Sequence, residues 1–407
     1  MKFRNYDEKK DKNAIYEVLK ECGWIKDTKD KYLTLHIKNA NTIVSEIDNR
    51  AEAVAVSVYG NIKYQNNTLP FSAITGVAVG LIARKRGLAK KLTAKRIQLD
   101  ALNGAAVVGL SFFDQGFYDK LGFATGAYQN IIHFSPISLK IDRKIPLPKR
   151  LSKKDWKIIH KNRLVRKKLH GAVDLPEFVT KADVSYEKDD FGLGFFNEKG
   201  KLTHHIWLGG KGKVEGPYNV RYLAYQNYEQ FLDLLAVIRN FGEQIMSVKI
   251  YEPPHIQMQD FIKTPELYRN ITQKSKFENK IETGAWTQMR ILDLKKCISA
   301  TKIDSDDITF NLDLFDPIKN FLDKNDKWHG LSGKYIVTFG KKSFIEKGYK
   351  KDLPVMKASI AAFSRFWFGI HKASYLTISN ELQAPEELLT ILDKKFIVPI
   401  PYFDWNF

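Results

Sequence analysis

The stretch Arg84-Lys85-Arg86-Gly87-Leu88-Ala89 follows closely on the apolar run Ile74-Thr75-Gly76-Val77-Ala78-Val79. It opens a helical pattern in which Leu88, Leu92, Leu99 and Leu102 recur on one face. A buried strand feeding a helix through a basic, glycine-containing turn constrains the fold more than any other segment. Small residues at 87 and 89 let backbone amides approach a pyrophosphate, and the free N–H groups and dipole of a helix start favour negative charge. Arg84, Lys85, Arg86 and Lys90 add cationic charge around that point. A basic first turn is often only solvated surface; its position just after an apolar strand gives this one weight.

Around the turn, the periodicity predicts a helix over 13–22, strands over 42–47, 53–59 and 71–79, the helix 86–103, and an almost wholly apolar buried strand over 105–112. A short helix near 117–120 and a strand over 128–134 close an α/β unit of ordinary domain size. Pro136, Pro146 and Pro148, set among basic residues, mark a crossing into a second unit. That unit has strands near 191–196, 203–208, 219–224 and 246–251 and a helix over 228–241. Its strand, helix, strand order echoes the first unit, but Tyr222-Leu223-Ala224-Tyr225-Gln226-Asn227 enters the helix with neither glycine nor arginine. A third segment begins near Trp286, with a strand over 335–339 and an apolar stretch over 358–370. Five aromatic residues among the last twelve predict a tail packed inside the protein, since chain ends otherwise fray.

The formal charge of +19 favours anionic partners without choosing among them. In the densest basic stretch, 149–168, Leu151, Trp156, Ile158, Ile159 and Leu164 fall at helical spacing, which predicts one amphipathic helix with a solvated face rather than a nucleic-acid contact. Cys22 and Cys297 stand far apart and read as buried small apolar residues. Residues 1–10 lack the apolar core of a signal peptide and no run approaches a membrane span, so a cytoplasmic protein is expected. Adjacent His204 and His205 on a strand point to opposite faces, the other histidines stand apart, and no metal is implied.

Chemistry enters with Phe117-Tyr118-Asp119-Lys120-Leu121-Gly122-Phe123. An amine attacking a thioester expels a thiolate whose conjugate acid has a pKa of about 8.5, and a phenol of pKa about 10 is placed to share a proton with it. Tyr118 beside Phe117 and Phe123 also suits a core tyrosine; the phosphate turn upstream tips the reading toward catalysis. Val77 and Val79, if their backbone groups lie at a splayed sheet edge, offer pairing to an amide-rich pantetheine arm. A plain core strand fits the same residues.

Val77-Ala78-Val79, Arg84-x-x-Gly87-x-Ala89 and Phe117-Tyr118-x-Lys120-Leu121-Gly122-Phe123 resemble the signature of GNAT acetyltransferases. The three-part layout, the second unit without its phosphate turn, the Trp286 segment and the terminal phenylalanine resemble the enhanced intracellular survival (Eis) branch of that superfamily. The resemblance implies an α/β (α+β) chain with two tandem GNAT-like domains and a sterol-carrier-protein-like domain. Residues 1–138 would bind acetyl-CoA, 139–285 would be degenerate, and 286–407 would be the sterol-carrier-like part. It implies acetyl-CoA contacts at Val77, Ala78, Val79, Arg84, Lys85, Arg86, Gly87, Leu88, Ala89 and Lys90, with Phe113 and Asp114 nearby. Tyr118 takes the general acid's place and the α-carboxylate of Phe407 the general base's, since burial would raise that carboxylate's pKa. The implied acceptors are amines of aminoglycosides or lysine side chains, with polyamines of the same chemical class, and the implied assembly is a homohexamer; Asp27 and Asp30 near the first helix offer acidic contacts to an amine, although exposed loop charges are the plainer reading of both. The competing expectation is a non-catalytic lipid- or nucleic-acid-binding protein on the same scaffold.

Overall fold

The computed structural model describes residues 2–25, 31–112, 114–210, 215–265, 273–379 and 381–405. Asp27, Asp30, Phe113 and Phe407 lie outside them. Three sheets of eight, seven and five strands carry the described residues, giving a mixed α/β fold.

The first sheet is built from β1 (Lys2–Asn5), β2 (Asn41–Ile47), β3 (Arg50–Tyr64), β4 (Asn67–Val79), β5 (Val107–Ser111) and β6 (Ala124–Thr125), with α1 (Glu8–Glu21), α2 (Lys31–Asn39), α3 (Leu88–Leu102) and α4 (Gln115–Asp119) around it. β1 to β4 run antiparallel in sequence, and β5 then joins β4 in parallel after the α3 crossover. The face of α3 carrying Leu88 and Leu92 packs on Ile43, Ala53 and Ala55. Ala94 and Ile97 pack on Ile74, Val108 and Leu110. A buried polar cluster bolts the same helix to the sheet. Asp100 pairs with Arg96 (2.9 Å) and accepts hydrogen bonds from the hydroxyls of Ser57 and Ser72, both 2.9 Å.

Three strands sit outside the unit in which their sequence position places them, the shortest being Val173–Asp174, which pairs with β3 in the first sheet. Thr287–Ile291 inserts into the first sheet between β5 and β6, with Thr287 opposite Ser111 and Gln288 opposite Thr125. Gln129–Phe134, expected to close the first unit, joins the second sheet between Val248–Tyr251 and Lys280–Gly284. These segments are short, and nothing in their local pattern specifies a neighbour.

The rest of the second sheet is Tyr218–Ala224, Leu202–Gly209, Phe191–Phe196 and Lys149–Leu151. Helix Tyr228–Arg239 covers one face through Phe231, Leu234, Leu235 and Ile238. The basic stretch 149–168 is not one helix. Lys149–Leu151 is an edge strand, Ser152 and Asp155 form a capping box, and only Trp156–Leu164 is α-helical. The third sheet is centred on Ile308–Phe315 and Gly333–Phe339. Helix Ile360–Trp367 packs on it with Phe363, Phe366 and Trp367 buried. Among the described residues no helix is long and apolar enough to cross a membrane.

Candidate active site

β4 and β5 hold each other from Phe71–Val107 to Ile74–Leu110 and no further. Beyond Ile74, β4 continues to Val79 against β3 alone. Its other edge is therefore open beside Val77, Ala78 and Val79, where the sequence places a pantetheine partner. Val77 and Val79 are half-buried and Ala78 is buried. Past Val79 the chain is pinned by the Gly80 amide on the Glu52 carbonyl (2.8 Å) and the Leu81 amide on the Glu21 carboxylate (2.8 Å). Cys22 is half-buried rather than buried, with Sγ 3.6 Å from the Val79 carbonyl and 3.5 Å from the Arg84 guanidinium.

In the basic turn Lys85 and Gly87 take φ of 61° and 73°, both in the left-handed region. Gly87 is the residue preceding α3, and no side chain caps that helix. No acidic residue lies in its first turn. Leu88, Ala89 and Lys90 thus begin the helix with amides that no carbonyl of the preceding turn can reach, as α-helical geometry requires. Arg84, Lys85 and Arg86 surround this start and are exposed. The corresponding helix of the second sheet is closed: the Asn227 side chain accepts from the Gln230 amide at 2.9 Å, and Glu229 adds a negative charge to its first turn. An anion is favoured at the first helix start and disfavoured at the second.

Tyr118 lies on α4, which follows β5 directly. Its ring is buried, edge-on to Phe117 and Phe123 with centroids 4.9 and 5.8 Å away. Burial, with a smaller contribution from Asp114, pushes its phenol up to about 12. Asp114 itself caps α4, accepting from the Phe117 amide at 3.2 Å. Gln288 donates to Asp119 at 2.6 Å, and the Arg290 guanidinium donates to the Leu121 carbonyl, so the inserted strand holds the chain immediately after Tyr118.

Beside Ser111 and Phe112, at the end of β5, opens a cavity of about 610 Å³. Its walls come from Trp286 and Thr287, from Val220 to Leu223 and Ile250–Tyr251 of the second sheet, from Arg163, Arg166 and Lys167, and from the tail residues Tyr402, Phe403 and Asp404. The parallel strands Tyr218–Ala224 and Val248–Tyr251 pair only at Tyr218–Val248 and Asn219–Lys249, so the second sheet diverges where the cavity begins.

The tail is fixed residue by residue. Asp404 forks onto Arg166 with two contacts of 2.7 Å and accepts the Val173 amide at 3.0 Å. The Trp405 indole N–H donates to Asp183 at 3.1 Å. The Arg163 guanidinium lies between two rings, 3.5 Å from the Trp405 centroid and 4.0 Å from that of Tyr222. The Tyr402 amide donates to the His170 carbonyl at 2.9 Å, and Gln129 donates to the Phe403 carbonyl at 3.1 Å. Arg163 and Arg166 are the functional-looking residues that sequence reasoning missed. They belong to the basic stretch read as a solvated face, yet both point inward. The spacing of three between them, with Trp405 and Asp404 far away in sequence, left no local signal. Among the described residues no group of three or more His, Cys, Asp or Glu is arranged to hold a metal ion.

Residues 3–126 match the family model of the acetyltransferase (GNAT) domain. No curated protein matches the chain. Among solved structures, a conserved protein from Enterococcus faecalis V583 described as a probable N-acyltransferase superposes with a TM-score of 0.81 at 14% identity, covering 100% of this chain and 99% of that one. A GCN5-related N-acetyltransferase from Anabaena variabilis gives 0.79 at 16% identity, with both chains fully covered. Eis1 from Mycobacterium abscessus gives 0.77 at 11% identity, again with full coverage of both. At these identities the structures establish a shared fold over the whole length. The match to the acetyltransferase (GNAT) domain covers the first third of this chain and supports an acyltransferase.

Proposed function

We propose that the protein transfers an acetyl group from acetyl-CoA to a primary amine by direct attack within a ternary complex. One observation carries this reading: β4 parts from β5 beside an uncapped, basic helix start, and the cavity opens at the end of β5. The amides of Leu88, Ala89 and Lys90, with Arg84, Lys85 and Arg86, suit a pyrophosphate, and Gly87 leaves room for it. The open edge at Val77 to Val79 suits the pantetheine amides. Bound there, acetyl-CoA supplies the thioester carbonyl, and the amine arrives from the cavity.

Tyr118 serves the departing sulfur. A phenol at about 12 facing a thiolate of pKa about 8.5 would lose about 5 kcal/mol in handing over its proton completely. Its role is therefore to donate a hydrogen bond that strengthens as charge develops on sulfur. The base is assigned to the Phe407 carboxylate, a role supported by the path of residues 402–404 along the cavity wall. On the same reading the third sheet is the sterol-carrier-like part and the assembly is a homohexamer, which analytical ultracentrifugation tests.

The decisive experiment pairs acetyl-CoA binding with turnover in Tyr118→Phe. Removing one such donor is expected to lower kcat by about 10²-fold while the Kd for acetyl-CoA stays unchanged. An unaltered kcat would remove Tyr118 from the chemistry. Thermal stabilisation by RNA or a fatty acid, with none from acetyl-CoA, would replace the whole reading with a binding role.

A further inference from the structure

The cavity wall is rich in charge, yet almost all of that charge is spent. Arg163 is paired with Asp183 at 2.7 Å, Arg166 with Asp404 at 2.7 Å and with Asp174 at 2.9 Å, and Arg221 with Asp190 at 3.1 Å. Of the charged side chains lining the cavity, four are cations (Arg163, Arg166, Lys167 and Arg221) and three are carboxylates (Asp183, Asp190 and Asp404). Each carboxylate already faces an arginine, and Asp183 and Asp404 take a further N–H apiece, from Trp405 and Val173. Lys167 sets its ammonium 4.5 Å from the Tyr228 ring centroid. What remains between these pairs is aromatic surface, chiefly Trp207, Tyr222, Tyr225, Tyr251, Trp286 and Phe403.

We infer that this cavity selects an amine with a single positive charge on a flat apolar body, such as an arylalkylamine, and rejects polycations. The inference rests on the acetyl-transfer reading for its chemistry. A polyamine or aminoglycoside entering here would lose water from several ammonium groups, while every carboxylate of the wall among the described residues is already paired and the terminal carboxylate assigned as base serves only the reacting amine, so each further charge costs affinity. A monoamine leaves water once. Its ring stacks on the aromatic wall, and its ammonium gains the attraction of ring faces. The second unit thus turns the divergence of its own parallel strands into a recognition wall for the other substrate, its phosphate turn being closed by Asn227.

The test measures binding separately from catalysis, on the full chain. Tryptamine and phenethylamine are compared with spermidine and kanamycin, first by calorimetry without acetyl-CoA and then by CoA release with it. The arylalkylamines are expected to bind, and to be used, at least about tenfold better than either polycation. Equal or better binding of spermidine or kanamycin overturns the inference and leaves acetyl transfer standing. Arylalkylamine binding without CoA release from any amine overturns acetyl transfer and leaves the preference standing. No binding by any of the four overturns the inference. Lys167→Glu reverses one charge in the wall without stranding a buried partner, and should improve spermidine relative to tryptamine by about tenfold. Lys167→Gln should fall between, and an unchanged ratio in both variants counts against the inference.

Discussion

At Tyr118 burial works against acidity and for donation. With its phenol at about 12, the proton stays in place throughout the range in which an amine becomes nucleophilic. The pH profile of kcat/KM should therefore rise as the amine loses its proton and then stay level to at least pH 10.5. A falling limb near pH 9 to 10 that disappears in Tyr118→Phe would show a phenol titrating far below this value. Gly87 poses a different question at the same scale. Its φ of 73° lies in the left-handed region, yet an added Cβ would meet nothing within 4 Å. Gly87→Ala thus isolates backbone conformation from crowding. It should cost about 1 kcal/mol of stability in a urea titration and weaken acetyl-CoA more than it weakens the amine. Equal weakening of both ligands would detach the turn from the pyrophosphate. Lys85, also left-handed, carries the same cost in the wild-type chain, and that strain falls at the site rather than elsewhere in the turn.

Among the elements, the tail Tyr402 to Trp405 has the most to lose from a single change. Arg166 holds Asp404 and Asp174 together from a buried position. Arg166→Met would leave Asp404 without a cation while Asp174 keeps Lys168, at a cost of about 3–5 kcal/mol. Gly171 admits the tail by having no side chain: a Cβ there would stand 2.4 Å from the Tyr402 amide nitrogen. Gly171→Ala should expose the tail to limited proteolysis near residue 400 and lower kcat, with acetyl-CoA affinity unchanged. Resistance to the protease in both variants would show that other contacts fix the tail. The sequence conveyed that the tail is packed, because aromatic residues at a chain end have little other use. It could not convey where. The fork between Arg166 and Asp404 spans 238 positions, and nothing in either neighbourhood names the other. Strand exchange was hidden for a related reason. Thr287–Ile291 and Gln129–Phe134 are recognisable as strands from composition, but pairing partners are a tertiary choice. The basic glycine turn and α3 were legible because a helix start, its glycine and its cations are all local.

Across the whole molecule, histidines are buried within the second sheet and between the first and third units, and their protonation ties stability to pH. His170 accepts the Gln65 amide on Nδ1 at 2.9 Å and so donates from Nε2 to the Phe368 carbonyl at 3.1 Å, joining the β3–β4 hairpin to the third unit. His205 donates from Nδ1 to Asn162 at 2.6 Å, an orientation fixed because the Asn162 amide nitrogen already serves the Leu202 and Thr203 carbonyls. Desolvation pushes His170 and His204 down to about 4 and His205 down to about 3. These groups are neutral in the folded protein and protonate near 6.5 once unfolded. Their contribution is complete above pH 6.5 and is lost as pH falls from 6.5 toward 4, because the unfolded chain then binds protons that the folded one refuses. At the limit His170 is worth about 3 kcal/mol and His205 about 5, with less from the partly solvated His204, and the three together rival the total stability of a typical domain. Carboxylates held low by their partners, such as Glu46 beside Arg4 and Lys10 at about 2, weaken the fold only below their unfolded pKa of about 4.5. The thermal midpoint should therefore fall steeply between pH 6.5 and 4.5, before carboxylate titration begins. His170→Gln, which keeps a donor and an acceptor but cannot take up a proton in this range, should make that slope shallower while lowering the midpoint at pH 7.5. A midpoint that stays level from pH 6.5 to 4.5 in the wild type would mean that these histidines meet water in the folded state.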